Sequence, residues 1–152
     1  VVLWVAGCSH CCKGCQNPMT WDPDGGLLFD DMAKTELFEQ LDKSYISGLT
    51  LSGGDPLHSA NRLDVRKLAQ EVKERYPEKT IWMYTGYSWD QIYHYPVMQY
   101  VDVLVDGEFI LEQKDNSLLW KGSKNQKVID VKKTLQQTDQ LIPVLYCPDY
   151  AK

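Results

Sequence analysis

Four of the chain's five cysteines fall within eight residues, Cys8 to Cys15, directly behind the apolar run of residues 1–6. The segment Gly7-Cys8-Ser9-His10-Cys11-Cys12-Lys13-Gly14-Cys15-Gln16-Asn17 constrains the chain more than any other. A disulfide framework would spread its cysteines to staple distant loops, and core packing does not gather so many thiols at one place. Cys8, Cys12 and Cys15 follow the spacing C-x3-C-x2-C. Three thiolates on one tight loop can ligate three irons of a cubane cluster and leave the fourth open to a substrate or cofactor. Cys11 also permits two consecutive C-x2-C pairs, as in a zinc site. Zinc pairs normally stand a dozen or more residues apart, and adjacent Cys11 and Cys12 would strain a tetrahedral centre. An open-iron cluster ranks first, zinc second and inert reduced thiols last.

The rest of the chain alternates strand-like and helical patterns. Residues 1–6 read as a strand buried on both faces. Asp31 opens a helical stretch capped by Asp30 or Asp31, with Met32, Leu37, Leu41 and Tyr45 near one face. Residues 48–51 form a second strand, ending abruptly in Ser52-Gly53-Gly54-Asp55-Pro56. Residues 63–76 are amphipathic, with Leu63, Val65, Leu68 and Val72 facing inward. Strands are expected at 81–84 and 101–105, with a short helix between them at about 89–100. Residues 141–146 make a candidate edge strand, where Pro143 is tolerated. The alternation implies an α/β fold with a mostly parallel sheet in a single domain over residues 1–152. Ligands of parallel sheets bind at the carboxyl ends of the strands. The cysteine loop, residues 52–56, Thr85-Gly86-Tyr87 and Asp106-Gly107 all follow strands, so they share one rim.

Individual residues on that rim have plain readings beside functional ones. Gly53-Gly54 can make a turn with positive φ, or can let backbone approach a ligand. Asp55 can complement an ammonium group, or Asp55-Pro56 can simply initiate a helix. His10 is read as a loop histidine bonded to nearby backbone, with tuning of a metal centre as the sharper alternative.

The string Gly7-Cys8, His10, Cys12, Gly14-Cys15, Asn17 and Thr20-Trp21 carries a resemblance. The spacing after a first strand resembles radical S-adenosylmethionine (SAM) enzymes, and the fuller string resembles the activating proteins of anaerobic (class III) ribonucleotide reductases. Gly48-Leu49-Thr50-Leu51-Ser52-Gly53-Gly54-Asp55-Pro56-Leu57, Ile81-Trp82-Met83-Tyr84-Thr85-Gly86-Tyr87, Val101-Asp102-Val103-Leu104-Val105-Asp106-Gly107 and Trp120-Lys121-Gly122-Ser123-Lys124-Asn125-Gln126 extend it to about residue 130.

That resemblance implies an open, partial (β/α) barrel carrying a [4Fe-4S] cluster on Cys8, Cys12 and Cys15. It implies SAM contacts from Gly14, Cys15, Gln16, Gly53, Gly54 and Asp55. The implied reaction is reductive cleavage of SAM, followed by removal of a hydrogen atom from a glycine of the reductase's large subunit. No side chain need act as general acid or base. The implied partners are that large subunit and a reducing electron donor such as flavodoxin or ferredoxin, with Asp106, Gly107, Asn125 and Gln126 facing the reductase. Cys11 falls at a variable position of the pattern and is not expected to ligate. The start at Val1, inside the first strand, implies a missing N-terminal segment, and residues 132–152 form a C-terminal extension outside the resemblance. Two alternatives stand beside this reading. One is activation of another glycyl radical enzyme such as pyruvate formate-lyase, and the other is a small zinc-binding interaction module.

Composition removes other classes. A net charge of −5 gives no general basic face for nucleic acid. No apolar stretch is long enough to span a bilayer, and clustered reduced thiols point to the cytoplasm.

Overall fold

The strands line up in chain order. In the computed structural model, which describes residues 1–148, β1 (Val2–Val5), β2 (Gly48–Gly53), β3 (Thr80–Tyr84) and β4 (Val103–Asp106) lie side by side and parallel. β5 (Lys127–Asp130) then pairs antiparallel with β4. The register sets Leu3, Leu51, Met83, Leu104 and Ile129 in one row across the sheet. Strand side chains alternate between faces, so this row defines the core side.

Against that row pack Leu37, Phe38 and Leu41 of α1 (Asp31–Leu41) and Val65, Leu68, Ala69 and Val72 of α2 (Arg62–Arg75). Trp89 and Ile92 of α3 (Trp89–Ile92) join the same cluster, as does Val131 of α4 (Val131–Leu135). Each parallel crossover advances one strand in the same direction, so the helices collect on one face of the sheet. The architecture is α/β with a mostly parallel sheet.

The opposite face stays partly open. Neighbouring positions there are Val2, Thr50, Trp82 and Val103 in one row, with Trp4 and Ser52 paired further along. Val2 and Trp4 are 48% and 59% exposed, so β1 is not buried on both faces as its apolar run suggested. The reason is position: β1 lies at the edge of the sheet and only its Leu3 side packs on the core.

Three other expectations change in detail. Asp30 does cap α1, its Oδ1 accepting from the Ala33 amide at 2.9 Å, but the helix ends at Leu41. Tyr45 lies beyond it and is exposed, Met32 is exposed in the first turn, and Phe38 fills the inward stripe. Leu63 is likewise exposed in the first turn of α2, with Ala69 buried instead. Residues 89–100 do not form one helix, because Pro96 disfavours the helical conformation at Tyr95 and starts a separate 3-10 turn, Pro96–Gln99.

The candidate edge strand at 141–146 is reduced to a short contact with β5. The Asp130 amide donates to Val144 O and the Tyr146 amide to Val128 O, both at 2.8 Å, around a single Ile129–Leu145 bridge.

Candidate functional site

The loops after β1, β2, β3 and β4 meet at one rim, as parallel strands require. The cysteine loop leaves β1 and is folded back by the 3-10 turn Pro18–Thr20, where Pro18 pre-sets the first turn. The Gly7 amide donates to Thr20 O at 2.7 Å and the Cys8 amide to Trp21 O at 3.0 Å, so the end of the loop is tied to its start. Asn61, at the head of α2, donates from Nδ2 to Ala6 O at 2.7 Å and fixes the point where the chain leaves the sheet.

Cys8, Cys12 and Cys15 are half-buried, whereas Cys11 is exposed and has a left-handed backbone, φ 52°. Burial pushes the Cys8 thiol up, held back in part by the amides of His10 and Cys11. Burial does the same to Cys12, opposed by the Phe109 amide from the loop after β4. The Asn17 amide donates to Cys15 Sγ at 3.4 Å. The Asn17 amide on Cys15 is a donor of the kind that stabilises thiolates on an iron–sulfur cluster. A [4Fe-4S] cluster fits this donor set. Iron would also offset the burial that disfavours the bare thiolates of Cys8 and Cys12. Among the described residues no three His, Cys, Asp or Glu side chains gather around one point as ligands of a single ion would. A cubane differs by taking each thiolate on a separate iron.

Asp55, only 1% exposed, is the hub of the rim. Its Oδ1 accepts from the Leu57 amide and Thr85 Oγ1, both at 2.9 Å. Its Oδ2 accepts from the Gly86 amide at 3.0 Å and meets His10 Nε2 at 2.7 Å. His10 Nδ1 lies 3.2 Å from Glu108 Oε1. His10 is therefore bonded to two carboxylates and not to backbone, contrary to the plain reading of the sequence. The Asp55 hydrogen bond, outweighing burial, raises the pKa of His10.

The remaining predicted residues are distributed as follows. Gly53 and Gly54 lie against β1 and the cysteine loop, the Gly54 amide donating to Val5 O and the Asp55 amide to Gly7 O at 2.7 Å each. Gly14 and Gln16 are exposed, with Gly14 lying against Leu111. Asp106 is 3% exposed, its carboxylate accepting from the amides of Trp89 and Lys127 at 2.9 Å, so it faces inward and presents no surface to a partner. Burial raises its pKa. Gln126 braces Gly107 O, Gly122 N and Ser123 N, and Asn125 donates to Glu108 O at 2.8 Å. These two hold the rim loops together.

The open sheet face leads away from this rim. A cleft of about 280 Å³ is lined by Thr50, Trp82, Tyr84 and Trp120 among others. Trp82, Trp120 and Tyr146 pack edge to face with centroids 5.2 to 5.6 Å apart. Sequence reading missed Glu108 altogether. Its only signal is its place directly after Asp106-Gly107, and its partner, His10, is 98 residues away.

A parallel-sheet rim carrying a three-cysteine loop defines an iron–sulfur domain, and the chain belongs to the 4Fe-4S single cluster domain family, whose profile matches residues 1–129. Within it, the chain is 46% identical over 128 residues to the anaerobic ribonucleoside-triphosphate reductase-activating protein of Enterobacteria phage T4, covering 84% of this chain and 81% of that one. It is also 46% identical to the protein of that name in Haemophilus influenzae (82% and 83% covered) and 42% identical to that of Escherichia coli K12 (83% and 84%). No solved structure matches.

Proposed function

We propose that this chain activates an anaerobic ribonucleotide reductase by radical SAM chemistry. The observation that carries the reading is the set of three half-buried thiols, Cys8, Cys12 and Cys15, at the C-x3-C-x2-C spacing on the loop that follows β1. The names and 42–46% identity of the relatives support the choice of partner. When bound, the [4Fe-4S] cluster supplies the electron that splits SAM into methionine and a 5′-deoxyadenosyl radical, which takes a hydrogen atom from a glycine of the reductase's large subunit.

In this reading Cys8, Cys12 and Cys15 hold the cluster. Gly14, Cys15, Gln16, Gly53 and Gly54 supply the backbone against which SAM lies. Asp55 acts by ordering three loops, since its oxygens already have protein donors. The partly open sheet face, with Thr50, Ser52, Trp82 and Tyr84, gives the bound cofactor a wall of mixed hydroxyl and aromatic side chains and the reductase loop a way in. One-directional winding of the sheet supports an open partial barrel around that face. Gly107, Asn125 and Gln126 form the outer rim towards the partner, and a flavodoxin or ferredoxin serves as electron donor in the cytoplasm.

The test is anaerobic reconstitution with iron and sulfide, then SAM and a reductant. Release of 5′-deoxyadenosine and a glycyl radical signal on the reductase large subunit are expected. A colourless protein that retains zinc and cleaves no SAM overturns the reading in favour of a zinc module. SAM cleavage that radicalises pyruvate formate-lyase and not the reductase overturns the partner alone.

A further inference from the structure

We propose that His10 is a positioning residue, whose imidazole fixes the cysteine loop to the loops after β2, β3 and β4 and so sets the surroundings of the cluster. This rests on the cluster reading above. The ring is held at both nitrogens, 2.7 Å from Asp55 and 3.2 Å from Glu108, and its side chain is only 11% exposed. Asp55 does not move with it, because Leu57, Thr85 and Gly86 hold that carboxylate from the β2 and β3 sides. Tyr87 meets the ring edge to face at a centroid distance of 4.6 Å.

The space for the ring exists only because residue 86 has no side chain. A Cβ built there would lie 2.4 Å from His10 Cδ2. The Thr85-Gly86 turn is thus shaped as a seat for this imidazole. His10 stands between two residues of the ligand set, two positions from Cys8 and two from Cys12. Releasing the ring would free the loop that carries those thiols, and the groups surrounding an iron–sulfur cluster tune both its geometry and its potential.

The experiment uses the full chain, with and without reconstituted cluster. In the reconstituted protein, His10→Ala should shift the midpoint potential and the electron paramagnetic resonance spectrum of the reduced cluster. Gly86→Ala, which evicts the ring while leaving His10 in the sequence, should shift them in the same sense. His10→Gln keeps an N–H for Asp55 and should restore both towards wild type, a rescue that a purely space-filling role would not give. In the protein without iron, amide exchange across residues 8–17 should quicken about tenfold in His10→Ala, as loss of one buried hydrogen-bonded link implies.

Wild-type potential, spectrum and exchange in His10→Ala would overturn the proposal. So would a shift that His10→Gln fails to reverse. If His10→Ala takes up no iron, the exchange comparison decides. If the wild-type chain itself assembles no cluster, the cluster reading falls, and the exchange data still judge the anchoring.

Discussion

Gly54 and Gly7 lie backbone against backbone: a Cβ on Gly54 would come within 2.6 Å of Gly7 O and 2.7 Å of Thr20 O. The carbonyl it would strike also accepts the Asp55 amide. The turn after β2 and both ends of the cysteine loop are therefore one packed unit.

A methyl group at Gly54 has nowhere to go, since the three atoms nearest to it are all backbone. Gly54→Ala should cost about 2 kcal/mol, the scale of overpacking, and should reduce iron uptake as well as SAM binding. Thermal melts and iron per chain check this. A variant with wild-type melting and a full complement of iron would show that the two loops can part freely.

Cys8→Ala, Cys12→Ala and Cys15→Ala should each abolish the thiolate-to-iron absorbance of the reconstituted protein. Cys11→Ala should keep it, because Cys11 is exposed and outside the ligand spacing. Cys11→Gly should hold it equally well, since the φ of 52° at that position suits glycine. Loss of the absorbance in Cys11→Ala with retention in any of the other three would redraw the ligand set.

At the far end of the sheet Asp102 accepts from Lys73 Nζ at 2.6 Å, Lys132 Nζ at 2.7 Å and the Ile81 amide at 2.7 Å. Burial alone would raise its pKa, but hydrogen bonds from Lys132, Lys73 and Ile81 outweigh it and the net shift is downward. A depressed folded-state pKa means that stability is fully present above the unfolded value of about 3.9 and is lost as pH falls through the folded value. Asp102→Asn should lower stability in urea by on the order of 2 kcal/mol at neutral pH, and the gap to wild type should close in acid. A gap that persists undiminished below about pH 3 would contradict the assignment.

Lys79 is 8% exposed, yet its ammonium is satisfied by the carbonyls of Leu41, Lys43 and Ile46, just past the end of α1. Lys79→Met keeps the aliphatic stem and strands three acceptors. It should destabilise by about 3 kcal/mol, read as a lower urea midpoint with unchanged slope. No change in midpoint would mean that water replaces the ammonium freely.

How much of this was legible in the sequence depends on range. The cysteine spacing, the α/β alternation and the shared rim are local patterns, and they appear in the structure where the patterns fall. The face of β1 was not legible, because a continuous apolar run does not reveal that a strand lies at a sheet edge. Residues 89–100 showed a helical pattern that Pro96 interrupts. The glycine pair is explained by a contact between two loops, visible only once the register is known. His10 was the largest loss: neither Asp55 nor Glu108 is near it in sequence, and no periodicity marks a side chain that reaches across four loops.

The in-order strand arrangement also governs how the site comes into being during synthesis. Neighbours in the chain are neighbours in the sheet, so β1 to β4 can add one after another as they emerge. The cysteine loop follows β1, but the carboxylate opposite His10 belongs to residue 108, after β4. The loop's own ties, from Gly7 and Cys8 to residues 20 and 21, are local and can form early, whereas the tie from His10 to Glu108 needs four strands in place. The surroundings of the cysteine loop are therefore completed only by residues that follow the fourth strand.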